Sequence, residues 1–549
     1  MRPSSTSSRL VRLVALVAVL LGSLPLLAAQ DPPANPDPTT DLLLKLIRTN
    51  ADAERTDLRS RLVALGAQRV SEAIAKLEIA DVPAATGLSR HDIPCPDGFS
   101  RPAWVWLPDS YTPTTRYALI ISLHGGVSGV QPQQVEGVAR RWPMLIGDTK
   151  DVIVATPAAD CPGTSQEARW WKNVGQTNVL ALIRYIKTRH NIDDDRVFVT
   201  GHSDGGSGTF SLANRRPDWF AGFMPMCGEP RVPPSDGTQV WFENFSGLHI
   251  YAINGGRDQL YPGEGVRQAI EAINAKGATI EFKLYPEAGH DLSYLDREAP
   301  GILRDRVGKW TRDLQPARID WSSDDVARGR RAWLSIDGIQ VRAQDATNGA
   351  PDATSFELGP RGVRLGVNVG QDAGVGVPIT GVAADSAAEG AGVQVDDVVT
   401  EMNGAPIGNL DQLRAAIARC TPGDEFRLQV TRGGQSIELR GRFPAAVEAA
   451  PAARVIASRV KPGEVDVRVR NVSALSLWVT LDMLAADGTL HVMVNGREAF
   501  MGPEKADAGL IVDEIARTAD RKRPFIGRVR IDVSKLLEAG PKQPPIEDF

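Results

Sequence analysis

The chain has 549 residues, 42% of them hydrophobic and 23% charged, with a formal net charge of −5. That length exceeds one hydrophobic core and implies several units. The mildly acidic balance excludes a protein held to nucleic acid by bulk positive charge, so no nucleic-acid partner is expected.

Arg2, Arg9 and Arg12 form a positive start, residues 13–27 an apolar run, and Ala28-Ala29 a small-residue cleavage site. This is the pattern of an export signal over 1–29, which places the mature protein in the periplasm or outside the cell. Leu-Gly-Ser-Leu-Pro at 21–25 interrupts the apolar run, and no later segment is long enough to span a bilayer. No stable membrane insertion is therefore expected once the signal is removed.

Residues 30–89 read as a Pro/Asp-rich linker followed by helices. Leu42, Leu43, Leu46 and Ile47, then Leu58, Leu62 and Leu65, then Val70, Ile74 and Leu77 recur at helical spacing. They predict two or three helices covering the catalytic domain.

Residues 90–316 alternate apolar strands with helical stretches. Strands are predicted at 103–107, 118–123, 152–156, 197–200, 223–226, 248–253 and 280–285, with helices at 178–188, 266–275 and 302–314. Such alternation means an α/β fold with a mostly parallel, doubly wound sheet.

Within this region four loops follow strands. Gly201-His202-Ser203-Asp204-Gly205 follows Val-Phe-Val-Thr and precedes a helix. Small residues two positions either side of a serine permit the sharp strand-to-helix turn that exposes a nucleophile. His124-Gly125-Gly126 follows the strand 118–123, Asp258 follows 248–253, and His290 follows 280–285. Serine needs a base, and imidazole needs a carboxylate to fix its tautomer, so Ser203, His290 and Asp258 are the candidate triad. The N–H groups of Asp204 and of Gly125 or Gly126 are the expected oxyanion donors. Asp291 is a rival acid, but adjacency to His290 points the two side chains apart. Trp170 and Trp171, in an insertion at 161–174, are expected either to line a substrate cleft or to anchor the loop, with His124 as a further substrate contact.

The four cysteines are Cys95, Cys161, Cys227 and Cys420. Cys95 and Cys161 lie in polar loops where an exported protein can form a disulfide, given close Cα atoms. Cys227 follows an apolar run and reads as a buried thiol. No pair has metal-ligand spacing, so neither a metal nor another cofactor is expected.

These loops resemble those of secreted esterases of the feruloyl-esterase, polyhydroxyalkanoate-depolymerase and dienelactone-hydrolase kind. The resemblance covers under half the chain and implies an α/β-hydrolase fold acting on carboxylic esters, of small molecules or polymers, through an acyl-enzyme.

A second resemblance covers 359–443. Arg364-Leu-Gly-Val367 is similar to the carboxylate-binding loop of PDZ domains, with Val in place of Phe at its end. The stretch 377–399, the Asn403-Gly404 turn, a helix at 410–419 and a strand at 426–430 complete the pattern seen in bacterial stress proteases. The resemblance implies that Leu365, Gly366 and Val367 offer N–H groups to a C-terminal peptide, with Leu413 and Ile417 as an apolar wall. A PDZ fold acting only as a spacer is the alternative.

Short strands flank this unit at 317–345 and 452–534, with Asp337-Gly338, Asp487-Gly488 and Asn495-Gly496 as turns. One small β-sandwich interrupted by the PDZ accounts for both halves. The reading is an exported serine esterase with a peptide-binding or scaffolding module. The rivals are a prolyl-oligopeptidase-like peptidase and a non-catalytic adaptor.

Overall fold

Long runs of Ile, Val, Leu and Ala build a central eight-stranded sheet. The computed structural model describes residues 37–538 apart from 80–81, 83, 128–130, 147–150, 160–167, 342–348, 357–364, 371–374, 383–385 and 446–451. The expected signal, Cys161 and Arg364 lie outside the described residues.

The strands are β1 (Gly87–Pro94), β2 (Ser100–Leu107), β3 (Tyr117–Leu123), β4 (Val152–Pro157), β5 (Ile192–His202), β6 (Gly222–Met226), β7 (Tyr251–Gly255) and β8 (Glu281–Tyr285). Their order is β1-β2-β4-β3-β5-β6-β7-β8. β1, β2 and β4 pair antiparallel, and every later pairing is parallel. All residues of β3 and β4 are buried, as strands covered on both faces must be. This is the α/β-hydrolase fold. The strand β1, antiparallel at the sheet edge, was not expected from the sequence.

Three helices precede the sheet: α1 (Pro38–Arg48), α2 (Asp52–Ala64) and α3 (Ala67–Lys76). Their apolar stripes form one core with Ile511, Val512 and Ile515 of a late helix. They therefore pack on the end of the chain, where the sequence predicted packing on the catalytic domain. Contacts with that domain include the Arg184 guanidinium, which donates to Ile47 O and Ala516 O, and Arg48 Nε, which donates to Thr188 O.

Around the sheet lie α4 (Pro132–Ile146), α5 (Asn173–Lys187), α6 (Asp204–Arg215) and α7 (Gly263–Asn274). The predicted helix at 302–314 is instead a short helix Leu295–Gly301 running into a wider turn Ile302–Val307. Pro300 removes one backbone donor there, and residues 311–317 turn toward the next module.

That module is a sandwich. One sheet orders β10 (Arg330–Arg331), β11 (Leu334–Ile339), β20 (Val472–Val479) and β23 (Gly527–Asp532). The other orders β22 (Arg497–Pro503), β21 (Thr489–Val494), β19 (Glu464–Arg470), β18 (Ala453–Lys461) and β9 (Arg318–Ser323). In β19, Val465, Val467 and Val469 point inward while Asp466 and Arg468 point out, the period-two pattern of a half-buried strand. Trp321 and Trp333 are buried in this core. The helix α9 (Ala508–Thr518) closes the module against α1–α3.

Between β11 and β18 lies the PDZ sheet, ordered β12 (Val367–Val369), β13 (Val377–Val382), β14 (Val398–Met402), β16 (Glu425–Arg432) and β17 (Gln435–Arg442). The short β15 (Ala405–Pro406) pairs with β14. Its longer helix, α8 (Leu410–Ala418), is capped by Asn409, whose side chain accepts from Gln412 N.

Hydrolase and sandwich are joined by buried charge. The Asp520 carboxylate, fully buried, lies 2.5 Å from Arg312 and 3.5 Å from both Lys187 and Arg523. Lys187 and Arg521 in turn meet Asp194 at 2.8 and 3.0 Å.

Candidate active site

Ser203 sits between β5 and α6 with φ 59° and ψ −122°, a strained conformation for a side-chain-bearing residue. Its glycine neighbours explain how the turn closes. A Cβ on Gly201 would lie 2.5 Å from the backbone of Gly205, and one on Gly205 would lie 2.2 Å from Leu123 O. Neither position admits a side chain.

The histidine loop follows β8. His290 Nε2 lies 2.8 Å from Ser203 Oγ, and His290 Nδ1 lies 2.8 Å from Asp258 Oδ2. Asp258 is 3% exposed, and its other oxygen, Oδ1, accepts from Leu260 N and Tyr261 N at 2.9 and 2.8 Å. Three fixed donors thus hold the carboxylate in a dry position. The acid and histidine loops are packed backbone to backbone: Gly256 N donates to Tyr285 O at 2.7 Å and Arg257 N to Ala288 O at 2.9 Å. A Cβ on Gly255 would lie 2.2 Å from Gly289 O.

Asp291, the rival acid, is exposed and accepts from Ser293 N and Gly289 N. Its hydrogen bonds to Ser293, then to Gly289, hold its carboxyl below the usual range. It shapes the turn that presents His290.

The loop after β3 reaches the serine from the opposite side. A Cβ on Gly125 would be 3.0 Å from Ser203 Cβ and 3.7 Å from Ser203 Oγ, so the bare backbone of Gly125 lies against the nucleophile. Gly126 has φ +64°. Asp204 opens α6, and its side chain accepts from Val127 N at 3.2 Å and from the Tyr261 hydroxyl at 3.4 Å.

His124, expected as a substrate contact, is instead a buried support, and Trp170 and Trp171 take the anchoring alternative. His124 is 2% exposed; Ala159 N donates to its Nε2 at 3.0 Å and its Nδ1 donates to Gly125 O at 3.0 Å. Burial pushes its pKa down to about 4, so the ring is neutral, with the tautomer this pairing requires. Trp170, 1% exposed, donates from Nε1 to His124 O at 3.0 Å. Trp171, 3% exposed, donates to Asp236 Oδ2 at 2.6 Å. The pair anchors the insertion to the core, because an indole with its N–H satisfied gains more from burial than from exposure.

Two side chains flank the His290 ring. Tyr261 sets its ring edge-on to His290 at 5.4 Å between centroids. His202 packs its ring against the same imidazole at 4.9 Å, and burial, then His290, lowers its pKa to about 4.

Cys95 and Cys227 are buried free thiols. Cys227 Sγ lies 3.4 Å from Asp291 O and from the Tyr294 hydroxyl.

In the PDZ unit, β12 lies at the edge of its sheet. Gly366 has φ +83°, and a Cβ there would lie 2.3 Å from Ser386 Cβ. Leu365 and Leu413 are 2% and 1% exposed and belong to the PDZ core, so Leu413 is not the groove wall the sequence suggested. Val367 and Ile417 are half-buried.

Residues 160–321 match the Dienelactone hydrolase family, and residues 338–440 match the PDZ domain. The chain carries a dienelactone hydrolase-family domain and a PDZ domain. The first match takes in the loops of Ser203, Asp258 and His290. Poly(3-hydroxyalkanoate) depolymerase C of Paucimonas lemoignei is 29% identical over 120 residues, which are 20% of this chain and 28% of that protein. The periplasmic pH-dependent serine endoprotease DegQ of Escherichia coli is 24% identical over 170 residues, 30% of this chain and 34% of that protein. The aligned segments thus span about a third or less of each relative. Thermogutta terrifontis esterase 2 superposes with a TM-score of 0.33 at 14% identity, covering 41% of this chain and 97% of that one.

Proposed function

We propose that this chain is an exported serine esterase cleaving carboxylic esters through an acyl-enzyme. The observation that carries the reading is the relay Asp258–His290–Ser203, each step 2.8 Å, ending on a serine held at φ 59°. His290 Nε2 takes the Ser203 proton as Oγ attacks the ester carbonyl, and later returns it to the alcohol that leaves. Asp258 holds Nδ1–H toward itself and stabilises the imidazolium. The tetrahedral oxyanion is received by the N–H of Asp204 at the start of α6 and by Gly125 or Gly126. Each such donor contributes about 3–4 kcal/mol to the transition state. Water then repeats the sequence on the acyl-enzyme.

The leader-like start supports export, and among the described residues no helix is long and apolar enough to cross a membrane. The edge strand β12 beside Gly366 supports capture of an extended peptide by the PDZ unit through backbone pairing.

The test is hydrolysis of p-nitrophenyl acetate and butyrate by the mature chain beside Ser203→Ala, with fluorophosphonate labelling of both. Turnover and labelling by the wild type alone support the reading. A folded wild type that neither turns over nor labels overturns it and favours the adaptor.

A further inference from the structure

His202 ends β5, Cys227 directly follows β6, and His290 lies in the loop after β8. One ligand atom from each, two ring nitrogens and a sulfur, lies within 4.8 Å of the others. No other grouping of three or more His, Cys, Asp or Glu among the described residues has this arrangement.

Three features make the group more than a chance cluster. His202 Nε2 is buried from solvent and has no hydrogen-bond partner, a costly state for an imidazole nitrogen. Cys227 has φ 44°, a backbone conformation that a side-chain-bearing residue adopts only when its surroundings enforce it, and its sulfur is placed by Asp291 O and the Tyr294 hydroxyl, each 3.4 Å away. Asp258 Oδ2 lies 2.8 Å from His290 Nδ1, which places a carboxylate beside the group to balance added positive charge.

We propose that His202, Cys227 and His290 form a binding site for a borderline-soft divalent cation of the zinc class, and that its occupancy arrests the enzyme. Two imidazoles and a thiolate are a donor set such ions favour. Zn–N bonds of about 2.0–2.1 Å and Zn–S bonds of about 2.3 Å put ligand atoms about 3.4–3.8 Å apart. The observed spacing contracts to this by roughly 1 Å, within reach of small rotations of two imidazoles that are both partly solvent-exposed. The Cys227 thiol gives its proton to solvent as the Zn–S bond forms. His290 gives up a nitrogen lone pair to the metal, so it can no longer take the Ser203 proton. No electron transfer is involved. The arrest rests on the esterase reading above; the metal site itself does not.

The experiment titrates chelator-treated mature wild type, Cys227→Ser and His202→Gln with zinc chloride. Bound metal is read by competition with a chromophoric chelator, ester hydrolysis in parallel, and folding by near-ultraviolet circular dichroism. Cobalt substitution adds a thiolate charge-transfer band as a direct signature of sulfur ligation. The expected result is one zinc per wild-type chain, with hydrolysis lost in step with occupancy. Removing a ligand should weaken binding by no less than the roughly tenfold loss typical of a ligand's supporting residues. Both variants should therefore resist inhibition, and Cys227→Ser should lose the cobalt band. If one variant does not fold, the other decides the question.

No stoichiometric zinc in the wild type, or equal binding in wild type and a folded variant, overturns the site. Binding through the trio without slower hydrolysis overturns the arrest. Zinc held by the trio in a chain that never hydrolyses esters supports the site while defeating the esterase reading, so the two failures are distinct.

Discussion

The backbone N–H of Val127 donates to Asp204 Oδ2 at 3.2 Å, joining the loop after β3 to the first residue of the helix behind the nucleophile. This bond helps hold both proposed sources of oxyanion N–H groups in register. Asp204→Ala should therefore lower kcat by about tenfold through loosening of the Gly125–Gly126 backbone, with KM little changed. Steady-state hydrolysis of p-nitrophenyl butyrate measures the split. A pure KM effect would assign Asp204 to substrate binding instead.

Asp258 and Asp291 offer a sharper contrast. Only Asp258 reaches His290 Nδ1, while Asp291 caps its own turn. Asp258→Asn should cost about a thousandfold to ten-thousandfold in kcat, by favouring the wrong imidazole tautomer. Asp291→Asn should retain kcat within a fewfold. Comparable losses in the two would mean that the turn, and not the tautomer, governs His290.

Trp170 tests whether the insertion is anchored or substrate-facing. Its side chain covers Gly208, where a Cβ would lie 2.3 Å from Trp170 Cβ. Trp170→Ala should cost about 3–5 kcal/mol of stability, seen in chemical denaturation. At a temperature where the variant is folded, its KM for small esters should stay near the wild-type value.

The buried charges between hydrolase and sandwich set a pH response. Burial alone would raise the carboxyl pKa values, but Arg330, Arg523 and Arg517 overcome it at Glu514 and hold that group at about 2. Arg312 and Lys187 hold Asp520 well below its ordinary range despite complete burial. Folded pKa values below the unfolded ones give stability that is complete above the ordinary carboxylate range. It declines as pH falls from about 4.5 toward 2. The melting temperature should follow that course. Asp520→Ala, which removes the buried carboxylate shared by Arg312, Lys187 and Arg523, should cost about 3–5 kcal/mol at pH 7 and flatten the acid limb.

Much of the site could be read from the chain because each part is local. A strand, a tight glycine turn and a helix declare Ser203, and loops after later strands declare Asp258 and His290. What failed was burial. His124, Trp170 and Trp171 sit beside the catalytic loops in sequence, yet their partners, Ala159 N, His124 O and Asp236, were not visible from spacing. The His202–Cys227–His290 trio was invisible for the same reason: parallel strands gather their C-terminal loops regardless of sequence separation. The interrupted sandwich was legible from its Asp487-Gly488 and Asn495-Gly496 turns, whereas Asp337-Gly338, expected as a turn, lies inside β11 at an irregularity in its pairing with β20. The helix α9 and its embrace of α1–α3 were not, since amphipathic pattern shows that a face is buried without showing against what.

That embrace has a consequence for the order of synthesis. Leu43, Leu46, Leu62 and Val70 leave the ribosome early, but Ile511, Val512 and Ile515, which share their core, emerge more than four hundred residues later. Until then the first three helices carry an apolar stripe without its final cover. A chain interrupted before α9 would keep the whole hydrolase sheet yet expose that stripe. The nascent protein thus has a built-in reason to meet a holding chaperone, and truncated products a built-in mark for removal.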